Sequence, residues 1–165
     1  MENINQLTEK DVTEILSQRE ELLEGYRQRL EMLSREYEDA DELIGMLQMR
    51  SPGVENEIQA SGVNKGLDDI YLMYERQRKK YQEEIHQNML QIMDLIDRVK
   101  HVYLYYLQLP PKEQAILKEI YIEKKQYKEI IKEGMSESSI NRIRKRAIKI
   151  IIQRWEKDNR EEQEE

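Results

Sequence analysis

Residues 109–147 carry the sequence LPPKEQAILKEIYIEKKQYKEIIKEGMSESSINRIRKRA, and this stretch decides the fold. A proline is tolerated in the first turn of a helix, so Pro111 predicts the start of a helix over residues 112–123. Ser136 predicts the N-cap of a later helix, because its hydroxyl can accept a hydrogen bond from an early backbone N–H. Gly134 predicts a turn before that cap. The stretch therefore predicts three short helices in succession.

The third of these helices has two different faces. Ile140, Ile143 and Ala147 recur at helical spacing and predict the side that faces the core. The opposite side carries a hydroxyl, an amide and cations, namely Ser138, Asn141, Arg142, Lys145 and Lys149. A helix-turn-helix needs this arrangement, because one helix acts as a brace while the next lies in the major groove of DNA.

The charge of the chain is unevenly distributed. The whole sequence has a net charge of -7, which by itself argues against binding to nucleic acid. Residues 112–157, however, contain 13 Lys and Arg against 7 Asp and Glu, a net charge of +6. Residues 1–111 contain 13 against 22, and the last eight residues contain 1 against 5. The basic charge therefore coincides with the predicted helix-turn-helix, as a DNA-binding footprint requires.

The predicted recognition helix suggests which residues would contact DNA. Arg can bridge guanine O6 and N7, Asn can pair with adenine, and the first half of a recognition helix enters the groove deepest. We therefore expect base contacts from Ser138, Asn141 and Arg142. Backbone phosphate contacts are expected from Lys124, Lys125, Lys128, Arg144, Lys145, Arg146 and Lys149. The alternatives are a solvated basic face and, for Arg146, an ion pair with Glu129 or Glu133.

Two long helices are predicted before this module, over residues 1–50 and 67–108, with a loop or linker at residues 51–66. Apolar residues in both follow alternating steps of three and four, which is a heptad pattern. The first seam comprises Leu23, Tyr26, Leu30, Leu33, Tyr37, Ala40, Ile44 and Leu47. The second comprises Leu67, Tyr71, Tyr74, Arg78, Tyr81, Ile85, Asn88, Ile92, Leu95, Val99, Val102, Tyr106 and Leu109. Pairing within one chain or between chains would give the same pattern.

The sequence accordingly predicts an all-α fold, with a long coiled-coil helical hairpin followed by a C-terminal trihelical helix-turn-helix domain at residues 109–157. The acidic tail, residues 158–165, is expected to be disordered. Arg78 and Asn88 are polar seam positions, which can fix the register and the number of partner helices.

Several classes of protein are disfavoured by the sequence. The chain contains no Cys, so disulfides and Cys-ligated zinc are excluded. His86 and His101 lack partners at metal-ligand spacing, and no catalytic constellation is found, so we expect neither an enzyme nor a metal or cofactor. No signal peptide or membrane-spanning segment is visible, which favours a cytoplasmic protein.

The helix-turn-helix stretch resembles the fourth conserved region of sigma-70-type factors. The resemblance is carried by the Leu-Pro opening at residues 109–110, the Glu-Ile pair at residues 129–130, Ser136, and the Arg-Ala pair at residues 146–147. That family has Ala where this chain has Ile131, and we expect Tyr127, Ile130 and Ile131 to share a buried face. In layout, the chain is similar to small phage and prophage regulators of the ArpU and RinA type.

The resemblance implies a transcription regulator that binds double-stranded DNA in a sequence-specific manner. The genes that it would regulate are phage or prophage late genes or autolysin genes. RNA polymerase is a candidate second partner, and homo-oligomerisation through the heptad helices is a further candidate interaction. A small terminase-like DNA-packaging subunit and a coiled-coil protein–protein adaptor are the alternatives. Packaging subunits usually place the DNA domain before the oligomerising helices, whereas here it follows them.

Overall fold

The computed structural model describes residues 6–49, 66–131 and 134–164, and these residues form helices with no strand among them. The helices are α1 (Glu9–Met49), α2 (Leu67–Leu107), α3 (Pro111–Leu117), α4 (Tyr127–Ile131) and α5 (Glu137–Glu164). A π-helical turn, Lys118–Ile122, follows α3. The all-α prediction is confirmed. Residues 51–65 of the expected linker lie outside the described residues, as do the side chains of Ile44, Leu47 and Leu67.

The chain forms two compact units. One unit contains Met1–Tyr26 and Asp94–Glu165, and the other contains Arg27–Met93. The boundary expected at residue 109 therefore falls inside the first unit. The trihelical segment α3–α5 packs together with the beginning of α1 and the end of α2.

A shared hydrophobic core holds the first unit together. Leu117, Ile148 and Ile151 of the trihelical segment are at most 2% exposed. They belong to the same cluster as Val12 of α1 and Val102 of α2, both 0% exposed. Truncating a side chain in such a core typically costs about 2–5 kcal/mol. The segment 109–157 thus depends on α1 and α2 for part of its core.

The start of α1 is fastened to α2 by a polar network. The Thr8 backbone N–H donates to Asp11 Oδ2 over 2.7 Å, and the Asp11 N–H donates to Thr8 Oγ1 over 3.2 Å, which is a reciprocal capping arrangement. The buried Arg98 of α2 donates to Asp11 Oδ2 over 2.8 Å and to the Gln6 carbonyl over 2.9 Å. This network fixes the point at which the chain enters the core.

The two long helices also pair within the second unit. The Tyr81 hydroxyl donates to Glu36 over 3.2 Å, and the Gln82 side-chain amide donates to the Tyr37 carbonyl over 3.4 Å. Ile85 is 4% exposed and Ala40 is 9% exposed. The helices of the predicted hairpin therefore contact each other within the chain.

Several seam positions of the second unit are more exposed than predicted. Tyr71 and Tyr81 are 42% and 46% exposed. Asn88 is exposed, and its amide donates to the Glu84 carbonyl one turn earlier, so its assignment to a buried seam is wrong for the single chain. A straight helix drifts about 20° per heptad relative to a 3.5-residue repeat, so one partner helix covers only part of the predicted seam.

The C-terminal segment is helical, and the expected disorder of residues 158–165 is corrected for residues 158–164, which continue α5. The Tyr105 hydroxyl of α2 donates to Asp158. Lys157 pairs with Glu161 over 3.6 Å one turn later. A tertiary hydrogen bond and neighbouring charges at helical spacing therefore extend the helix beyond the core.

Replacing Asp11 with Asn should weaken the fastening of α1. Burial raises the pKa of Asp11, but the hydrogen bonds from Thr8 and the charge of Arg98 lower it by more. The pKa of Asp11 therefore lies below its ordinary value of 3.8. A carboxyl with a lowered folded-state pKa stabilises the protein above its unfolded-state pKa, and that contribution is lost as the pH falls through the folded-state value. We expect Asp11→Asn to lower the free energy of unfolding at pH 7 by about 1–2 kcal/mol.

The difference between the wild type and Asp11→Asn in the free energy of unfolding, measured with urea, should shrink as the pH falls below 3.8, because the charge-dependent contribution of Asp11 is then progressively lost. Asp94→Asn is the matched control, since Asp94 is exposed. A stability difference that stays constant between pH 7 and pH 3 would contradict the ionic role of Asp11.

Candidate nucleic-acid interface

The helix-turn-helix is built from local caps and one turn. At the start of α4 the Gln126 backbone N–H donates to Glu129 Oε2 over 2.9 Å, so Glu129 caps that helix. Gly134 has a φ of 95°, a left-handed conformation that glycine adopts without steric cost. The Ser139 N–H donates to Ser136 Oγ over 3.3 Å. The predicted turn at Gly134 and the predicted cap at Ser136 are both confirmed.

A small separate core joins α4, the predicted brace helix, to α5, the predicted recognition helix. Ile116, Ile130, Ile140 and Ile143 form this core, and each is at most 6% exposed. Tyr127 packs against it, as predicted. Ile131, however, is 38% exposed, so its predicted place on the buried face is wrong. A helix of only five residues buries a single apolar turn, and Ile130 fills it.

The outer face of α5 presents the predicted DNA-contacting residues to solvent. Ser138, Arg142, Lys145 and Lys149 are exposed, and Asn141 is half-buried. At about 100° per residue, these five positions fall within a stripe about 100° wide, opposite Ile140 and Ile143. Among the described residues, no ion-pair partner is found for Arg142, Lys145 or Lys149. The cations of this stripe are therefore available to an anionic ligand.

Asn141 makes a specific contact with the brace helix. The Tyr127 hydroxyl donates to Asn141 Oδ1 over 3.0 Å. The two residues are 14 positions apart and lie on different helices, so periodicity alone gave no signal for this pair. The hydrogen bond fixes the direction in which the Asn141 carboxamide points.

Arg144 faces inward, unlike Arg142, Lys145 and Lys149. Its guanidinium donates to the Tyr121 hydroxyl over 2.8 Å and lies 3.3 Å from Glu9 Oε1, and its side chain is 20% exposed. The hydrogen bond to Tyr121 raises the pKa of Arg144 despite its partial burial. Arg144 thus links the recognition helix to the start of α1, and we leave it out of the DNA-contacting set proposed below.

Arg146 pairs with a buried carboxylate. Its guanidinium donates to Glu113 at the start of α3, and the Glu113 side chain is only 8% exposed. Of the two partners expected for Arg146, Glu129 instead caps α4, and Glu133 lies outside the described residues. Arg146 is 55% exposed in its side chain, so its outer edge still faces solvent.

The lysines around the brace helix differ in their surroundings. Lys124 is exposed and follows the π-helical turn, with a φ of 53°. Lys125 lies 3.2 Å from Glu123 and 3.9 Å from Glu119, and its hydrogen bond lowers the pKa of Glu123. Lys128 is exposed on α4. Lys124 and Lys128 are thus the freer candidates for phosphate contact on this side.

Neither a metal site nor a membrane-spanning helix is found in the part of the chain that the structure describes. No group of three or more His, Asp or Glu side chains is placed to hold a metal ion there. Within the same residues, none of the helices combines the length and the apolar character needed to cross a bilayer.

Arg146→Ala should destabilise the fold, because it leaves the Glu113 carboxylate buried without its cation. We expect a loss of about 1–3 kcal/mol in the free energy of unfolding. Adding Glu113→Gln should recover part of it, since the unpaired charge is then removed. Lys145→Ala, at the exposed neighbouring position, should change stability by less than about 0.5 kcal/mol. Equal urea midpoints for Arg146→Ala and Lys145→Ala would show that the pair is not structural.

Comparison of this chain with protein-family models, with curated proteins and with solved structures finds no match. The functional assignment therefore rests on the geometry and charge of the helix-turn-helix itself.

Proposed function

We propose that this chain binds duplex DNA in a sequence-specific manner through the outer face of α5 and thereby regulates transcription. The observation that carries the proposal is the exposed stripe of Ser138, Asn141, Arg142, Lys145 and Lys149 on a helix that is capped at Ser136 and braced by α4. The major groove is about 12 Å wide and admits one helix, so a stripe on a single face is the geometry that groove contact requires.

The roles within the stripe follow from position. Ser138, Asn141 and Arg142 lie in the first two turns of α5, where a recognition helix enters the groove deepest. Lys145 and Lys149 lie further along, where the helix leaves the groove and meets the phosphate backbone. Lys124, Lys128 and the exposed edge of Arg146 would add phosphate contacts, which position the protein without selecting a sequence.

The local charge supports binding to a polyanion. The net charge of +6 in residues 112–157 includes six exposed cations on or beside α4 and α5, namely Lys124, Lys128, Arg142, Lys145, Arg146 and Lys149, while the acidic excess lies in other parts of the sequence. A basic surface of this kind attracts DNA over roughly a Debye length, which is about 8 Å at physiological salt. Arg144 and Arg146 form ion pairs within the fold, with Glu9 and Glu113. No such structural pairing among the described residues accounts for Arg142, Lys145 and Lys149.

The resemblance to sigma region 4 extends the proposal to the control of phage or prophage genes, with RNA polymerase as the candidate protein partner and the cytoplasm as the site of action. The paired long helices would then serve as a scaffold that carries the DNA-binding unit. Binding of equal strength to all duplexes would instead favour the packaging-subunit alternative.

Arg142→Ala and Lys149→Ala should separate base contact from phosphate contact. Loss of one bidentate contact to guanine should cost about 1–3 kcal/mol on the preferred duplex and much less on a scrambled one. Lys149→Ala should weaken both duplexes by similar factors, because a phosphate contact carries no sequence information.

Fluorescence competition titrations with the full chain would measure both effects, using a preferred site obtained by selection from random duplexes. Both residues are exposed, so neither substitution should disturb folding. If Arg142→Ala weakens preferred and scrambled duplexes equally, Arg142 contacts only phosphate and the docking face is rotated from the one proposed.

A further inference from the structure

The Tyr127–Asn141 pair joins the hydrophobic core to one edge of the proposed DNA-contacting stripe. The Tyr127 ring packs against the core of Ile116, Ile130, Ile140 and Ile143, and its hydroxyl reaches Asn141 Oδ1 over 3.0 Å. Asn141 is half-buried, and the helical repeat places it on the same side of α5 as Ser138 and Lys145. The core thus anchors a donor against the oxygen of this carboxamide.

A free asparagine can present either its oxygen or its NH2 group to a base, and pairing with adenine N6 and N7 uses both at once. Here the oxygen accepts the hydrogen bond from Tyr127, whereas Nδ2 donates to no side chain or backbone oxygen among the described residues. An NH2 donor matches a base edge that offers acceptors. Guanine presents two acceptors, N7 and O6, in the major groove, whereas adenine presents N7 beside an N6 amino donor.

We infer that Tyr127 is a specificity-determining positioning residue, which holds Asn141 as a hydrogen-bond donor and so makes one position of the recognised site prefer guanine over adenine. This inference rests on the proposed function, and it replaces the adenine contact expected from the residue type of Asn141 alone. Tyr127 itself acts through Asn141 and needs no contact with DNA.

The test is Tyr127→Phe in the full chain, which removes the hydroxyl and keeps the ring that packs on the core. The probe is a set of duplexes that carry the selected site with each of the four base pairs at every position. Tyr127→Phe should reduce the preference for guanine over adenine at one position by about 2- to 10-fold, the worth of one neutral hydrogen bond, and leave the other positions unchanged.

Two further variants make the result specific to the pair. In an Asn141→Ala background, Tyr127→Phe should have no effect on base preference, because the group that it positions is gone. Asn141→Asp keeps an acceptor for Tyr127 but has no NH2 donor, so it should lose the guanine preference at the same position. Tyr105→Phe is the matched control. Tyr105 is also buried, but its hydroxyl donates to Asp158, which lies outside the DNA-contacting stripe.

The possible results separate this inference from the proposed function. Sequence-specific binding with an unchanged preference in Tyr127→Phe, or an unchanged guanine preference in Asn141→Asp, overturns the inference and leaves the function standing. Equal weakening of all duplexes by Tyr127→Phe means that Tyr127 contacts phosphate, which also overturns the inference. A wild-type chain without any base preference overturns both proposals.

Discussion

The burial of one side of α5 against the beginning of α1 and the end of α2 is the constraint on which the rest of the first unit depends. Ile148 and Ile151 are 2% and 0% exposed, and they share a core with Val12 and Val102. Without those partners, the trihelical segment would expose a large part of its apolar surface. Helix α5 is therefore positioned by helices that lie far from it in the sequence.

Polar contacts then fix the orientation that the apolar core allows. Arg98 fastens the start of α1 through Asp11, and Arg144 ties α5 to Tyr121 and Glu9. Hydrophobic burial is non-directional, whereas these charge-assisted hydrogen bonds require particular distances and angles. Together they leave a single face of α5 exposed, and the cations on that face lack partners among the described residues.

Local chemistry made much of the helix-turn-helix predictable. Pro111, Gly134 and Ser136 each act through their own backbone geometry or their own hydroxyl, so their structural roles can be inferred from a few neighbouring residues. The apolar face of α5 was predictable for the same reason, because Ile140, Ile143 and Ala147 follow the helical repeat.

Contacts between distant segments could not be predicted in the same way. The hydroxyl of Tyr127 donates to Asn141, and Arg146 pairs with Glu113 instead of Glu129, because the packing of three helices decides which side chains meet. The helical tail depends likewise on Tyr105, which is 53 residues from Asp158. The heptad pattern predicted a seam position for Asn88, yet Asn88 is exposed, because a single partner helix covers only part of the seam.

The most direct test of the account is the salt dependence of DNA binding by the purified full chain, measured by fluorescence anisotropy with a mixed-sequence duplex. A plot of log affinity against log salt concentration should fall with a slope of about -0.9 for each phosphate that the cations neutralise. The account predicts a slope corresponding to several contacts, reduced by about 1 in Lys149→Ala. Absence of binding at low salt, or binding that does not respond to salt, would contradict the assignment of α5 as a DNA-contacting helix.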